Sequence, residues 1–209
     1  MSDVLLQIGR VDERAPLVRR ARTLAGAGIA WHLVEFAVAL GAGIAAGSIA
    51  LIGFGVDSLV ETAAGAVVLW RFTSRSATAE RRAQQLIAAS FFLLAAYVAV
   101  ESLRSLVGSD EPRRSWVGLG LAAVTAVTMP ILARAKRRIG ERLGSAATVK
   151  EGAQNTVCAY LSLALLAGLG ANALLGWWWA DPAAALAIAA VAAREGVSSW
   201  RGEGCCEVC

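Results

Sequence analysis

Asp57 and Glu61 stand four residues apart in an otherwise apolar stretch, residues 48–70. On a helix that spacing puts both carboxylates on one face, about one turn apart. Each acid near the centre of a membrane helix costs about 2.5–3.5 kcal/mol on insertion scales, so the pair costs roughly 5–7 kcal/mol unless something neutralises it. A proton, water or a cation must do so. Two such carboxylates take up protons when no metal is present and release them when a divalent ion arrives, which is the chemistry of metal–proton exchange. The competing structural roles are pairing with arginine or capping a helix. No arginine lies inside an apolar run at comparable depth, and caps belong at helix ends.

A second polar set opens the stretch 147–175: Lys150, Glu151, Gln154, Asn155, Cys158 and Ser162. Positions 151, 155, 158 and 162 advance by four, three and four, one continuous helical stripe that faces protein or water rather than lipid. Glu151 and Asn155 could complete an oxygen shell begun by Asp57 and Glu61; an interhelical hydrogen-bond seam accounts for the stripe equally well. His32, the chain's single histidine, shares a face with Glu35. That spacing reads as a packed hydrogen-bonded pair, with a proton relay as the alternative. Tyr97 and Glu101 are one turn apart near a helix end, where they could line an exit path. Asp181-Pro182 reads as the cap and first turn of the last helix.

These residues need helices to hold them. The chain has 209 residues, 57% of them hydrophobic and only 17% charged, too apolar for an ordinary soluble domain. Six stretches are long enough to span a bilayer: 23–42, 48–70, 83–107, 116–133, 147–175 and 177–193. The net charge of +4 does not gather on one face as nucleic-acid binding requires. With both termini on one side, that side receives all of the 20 Lys and Arg residues except Arg104, Arg113 and Arg114. The positive-inside rule makes that side cytoplasmic. Trp116 and Trp177-Trp178-Trp179 then fall at the outer interface and Trp70 at the inner one. The expected fold is an all-α membrane protein with six transmembrane helices, both termini cytoplasmic and no C-terminal soluble domain. Residues 1–22 form a cytoplasmic tail, either solvated or an interfacial helix; 23–196 form the transmembrane domain; 197–209 form a short tail with Cys205, Cys206 and Cys209. A single C-x-x-C is a weak metal signal, because a closed zinc site wants four ligands.

Gly47-Ser48-Ile-Ala-Leu, Asp57-Ser-Leu-Val-Glu61, Glu151-Gly-Ala-Gln-Asn155, Gly176-Trp-Trp-Trp-Ala-Asp181-Pro182 and Arg194-Glu-Gly together resemble the cation diffusion facilitator family. The resemblance covers most of residues 15–196. It implies six helices, cytoplasmic termini and a divalent-metal site between helices two and five. It also implies metal ligation by Asp57, Glu61, Glu151 and Asn155, with no tightly bound cofactor. The family pattern carries His or Asp, then Asp four residues later, on both helices; here Glu61, Glu151 and Asn155 depart from it. With no imidazole in that set, manganese, iron or cobalt competes with zinc as the cargo. The family's His-rich connection between helices four and five has no counterpart in 134–146, and any homodimer would form through membrane helices or lipid.

The expected activity is proton-coupled export of a divalent metal across the plasma (inner) membrane by a multi-pass carrier. Its partners are metal ions, protons and the lipid bilayer, with no nucleic acid. The alternative is a non-transporting membrane metal sensor or assembly factor that uses the cysteine tail; a passive cation channel is a third reading. No phosphate loop or nucleophile with a positioned base points to an enzyme.

Overall fold

A computed structural model of the chain describes residues 2–71, 77–108 and 112–201. Six helices follow in order: α1 Ser2–Ala46, α2 Ile49–Arg71, α3 Ala77–Gly108, α4 Trp116–Leu143, α5 Ala146–Leu175 and α6 Ala180–Arg201. Three turns are set by glycines in the left-handed region, Gly47, Gly144 and Gly176, with φ of 69°, 63° and 69°. The Ser115 hydroxyl caps α4 by accepting from Gly118 N, and the Ser145 hydroxyl caps α5 by accepting from Thr148 N.

Two boundaries differ from the hydropathy reading. Residues 2–22 continue helically into α1, through Pro16. The expected loop 134–146 shrinks to Gly144 and Ser145, because α4 runs on to Leu143. Its last turns are rich in Arg, Lys, Ile, Glu and Leu, which favour helix while lowering the local hydropathy. Arg134 to Arg142 therefore belong to a helix, and Lys136 on it points inward.

α1, α2, α5 and α4 close a ring, in which α1 packs on α2 and α4, and α5 packs on α4 and α2. α3 and α6 pair with each other and lie against the ring, both touching α2 and α6 also touching α5. One end of the bundle is tied by polar contacts. Arg113 N donates to Ala46 O (2.7 Å), and Asn172 Nδ2 donates to Pro112 O (2.8 Å). At the same end the buried Asp181 does not serve its own helix as expected. Its carboxylate accepts from Ser48 Oγ (2.5 Å), Ile49 N (3.0 Å) and Ala50 N (3.4 Å), so α6 caps the start of α2. The free N–H groups of that helix start give the carboxylate more to accept than its own helix does.

The bundle carries large apolar side chains on its outer surface and a set of ionisable ones within an otherwise apolar core. Leu93, Val107, Val127 and Leu174 are exposed, whereas His32, Glu35, Asp57, Glu61, Lys136, Glu151 and Asn155 are buried. Ionisable groups facing the bundle interior with apolar groups outside is the arrangement a bilayer requires. Among the described residues, four helical stretches are long and apolar enough to cross a membrane: Ala15–Ala46, Phe91–Gly108, Trp116–Leu143 and Glu151–Leu175. Trp116, Trp177 and Trp179 are exposed at the tied end, the latter two stacked with centroids 5.4 Å apart, as in an interfacial aromatic belt.

Candidate metal centre

The ring of α1, α2, α4 and α5 encloses a connected polar core. α1 supplies His32 and Glu35, one turn apart. His32 Nδ1 lies 2.7 Å from Glu35 Oε2 and 3.1 Å from Glu61 Oε2 of α2. Thr125 Oγ1 of α4 donates to Glu35 Oε1. The Cys158 thiol of α5 stands beside the Glu61 carboxylate, its sulfur within 4.8 Å of a carboxylate oxygen. Ligand atoms of His32, Glu35, Glu61 and Cys158 all lie within 4.8 Å of one another, and all four residues are buried.

Asn155, one turn from Cys158 on α5, joins this group to a second one. Its Nδ2 is 3.2 Å from His32 Nε2 and 3.1 Å from Met129 Sδ, while its Oδ1 accepts from Lys136 Nζ at 2.9 Å. Lys136 Nζ also donates to Glu151 Oε1 at 2.7 Å. An ammonium only donates, so the amide oxygen must face Lys136 and the amide NH2 must face His32. Nε2 is then an acceptor, and the imidazole proton sits on Nδ1, donated to Glu35. From Lys136 the donors run one way through Asn155 and His32 to Glu35, while Lys136 also donates outward to Glu151 and Thr125 donates into Glu35 from the other side.

Two carboxylate oxygens are left over. Glu61 Oε2 and Glu151 Oε2 are buried with no hydrogen-bond partner. Glu61 Oε2 is close to His32 Nδ1, but that N–H is directed at Glu35. A buried acceptor without a donor is costly and marks a place where a cation would be welcome.

The four residues expected to form the site are therefore distributed over two poles. Glu61 belongs to the compact group; Asp57, one turn away and buried, lies outside it but shares the field of Glu61, Glu35, Glu195 and His32. Asn155 bridges the poles, and Glu151 sits at the lysine end. Sequence alone raises only arginine as a basic partner; the structure buries a lysine, Lys136, against Glu151 and Asn155. Its signal was present in the sequence: Thr125, Met129, Ala133, Lys136, Gly140 and Leu143 keep helical spacing well past the apolar run, and all six are buried. An imidazole also stands beside the expected set, because α1 brings His32 Nδ1 to 3.1 Å from Glu61 Oε2. Glu101 pairs with Arg104 at 2.7 Å on an exposed face, and Tyr97 is exposed beside it. Cys205, Cys206 and Cys209 lie outside the described residues.

The family model for the cation efflux transmembrane domain matches residues 27–201. The chain belongs to the cation efflux family. The match runs from the middle of α1 to the last residue of α6, so it takes in every residue of the polar core. No individual curated protein matches the chain. Cation efflux proteins are transporters of divalent metal cations, and the grouped His, Cys and Glu side chains give this cation efflux chain a candidate place to hold one. It is a multi-pass membrane protein.

Proposed function

We propose that this protein is a secondary carrier that exports a divalent metal ion in exchange for protons, binding the ion between His32, Glu35, Glu61 and Cys158, with Asp57 as the adjoining acid. The observation that carries the reading is the convergence of these four ligand atoms within 4.8 Å, inside a buried ring of helices. The six helices act as six crossings with both termini cytoplasmic, a topology supported by the distribution of Lys and Arg.

One nitrogen, one sulfur and two carboxylates form a borderline donor set. It suits zinc, cobalt or ferrous iron better than magnesium or calcium, which take oxygen. Metal binding requires the thiol to lose its proton and the imidazole to present a lone pair. Each ion that enters therefore expels protons, and each proton that returns loosens the ion. Exposing the group first to one side and then to the other converts this competition into exchange.

The test is proteoliposomes carrying a metal dye and a pH dye. The wild-type chain should move zinc and protons in opposite directions, and Glu61→Gln should reduce both fluxes by roughly tenfold or more, since a charged ligand is lost from a low-dielectric site. Zinc flux without proton movement would indicate a channel, and unchanged flux in Glu61→Gln would remove the site assignment.

A further inference from the structure

We propose that Lys136 is a tethered cation that competes with the transported metal: its ammonium occupies the Glu151–Asn155 pole and, through Asn155, keeps the His32 imidazole closed to metal. The inference rests on the metal-site reading above and concerns what that site does when no ion is in it.

Two features of the geometry lead there. The first is charge. Lys136 Nζ makes contacts of 2.7 and 2.9 Å to Glu151 and Asn155, the two fifth-helix positions that would otherwise be free to ligate an incoming ion. A fixed positive charge in a buried site repels a divalent ion strongly. The second is donor–acceptor logic. While Lys136 holds the amide oxygen of Asn155, the amide NH2 must face His32 Nε2, at 3.2 Å, and the imidazole proton must stay on Nδ1. Neither ring nitrogen then offers a lone pair: Nε2 is covered by the amide and Nδ1 carries hydrogen. Once the ammonium leaves, Asn155 can turn over and accept from Nε2–H. Nδ1, which faces both Glu35 and Glu61, then becomes a ligand. Metal in the one pole and lysine in the other are mutually exclusive states.

The fold has made room for the ammonium. A side-chain carbon at Gly28 of α1 would lie 2.8 Å from Lys136 Nζ, with Leu132 Cδ2 and Lys136 Cε next nearest at 3.6 Å. The ammonium thus packs directly on Gly28, and alanine there would force it to shift away from α1. The clash is with the free end of a flexible side chain rather than with backbone. Gly28→Ala accordingly displaces the charge without deleting it, and it favours the helix.

The experiment uses the full-length chain in lipid nanodiscs, with wild type, Gly28→Ala and Lys136→Met compared. Zinc affinity is measured by competition with a chelating dye. The tautomer is read from the 15N spectrum of the imidazole, which is unambiguous because the chain has one histidine. Both variants are expected to bind zinc more tightly, by on the order of tenfold. The metal-free imidazole should move from Nδ1–H in wild type to a mixture with Nε2–H in both. If Lys136→Met fails to fold because Glu151 is left unpaired, Gly28→Ala alone decides. Zinc bound equally or more weakly by the folded variants, with the tautomer unchanged, would overturn the role of Lys136 while leaving the metal site standing. Zinc bound by none of the three chains would overturn the metal site itself.

Discussion

Cys158 is the residue whose chemistry most sharply divides this site from an all-oxygen one. A thiolate on cobalt gives an intense charge-transfer absorption, so the cobalt-loaded wild-type chain should show it and Cys158→Ser should not. Cys158→Ser should still fold, since the exchange keeps a hydroxyl donor beside Glu61, and its cobalt affinity should fall by about tenfold or more through loss of a soft ligand. Identical spectra for the two would exclude the sulfur from the shell. Metal affinity at this site should also rise with pH, because thiol and imidazole bind the ion only after giving up protons. An affinity that fell on raising the pH would contradict proton exchange. At this scale the sequence was informative where partners share a helix. Asp57 with Glu61, and the stripe through Glu151, Asn155 and Cys158, were legible from spacing alone. The approach of His32 to Glu61 was not, because it depends on how α1 packs on α2.

The helices themselves were readable because apolar runs of membrane length have few alternatives. Their ends were harder. Hydropathy falls at Arg134 while the helix continues, since backbone hydrogen bonding and propensity, rather than apolarity, carry it to the Gly144 cap. That error hid Lys136 among supposed loop residues. Asp181 illustrates a second limit: its sequence neighbourhood marks a cap, but the helix it caps is α2, far away in the chain. Asp181→Ala should destabilise the protein by roughly 1–3 kcal/mol, through lost capping of two N–H groups and loss of the acceptor for the Ser48 hydroxyl, which keeps only its bond from Leu51 N. Thermal unfolding in detergent measures it; an unchanged midpoint would mean that water replaces the carboxylate. Gly144→Ala should cost about 1 kcal/mol, because the α4–α5 turn needs a left-handed residue.

For the whole molecule, the arrangement that matters is an apolar exterior around a largely apolar core that encloses one charged cluster, held by four helices and flanked by the α3–α6 pair. The topology proposed from charge has a direct check: a cysteine placed at Arg138 should react with membrane-impermeant reagent only from the cytoplasmic side, and one at Arg113 only from outside. The reverse pattern would invert the direction of transport. The claim on which everything depends is that the carried ion sits on His32, Glu35, Glu61 and Cys158. X-ray absorption at the zinc edge of the loaded, full-length chain examines it most directly. One sulfur at about 2.3 Å with nitrogen and oxygen at about 2.0–2.2 Å is the expected shell. A shell of oxygen alone, with no sulfur scatterer, would contradict the account.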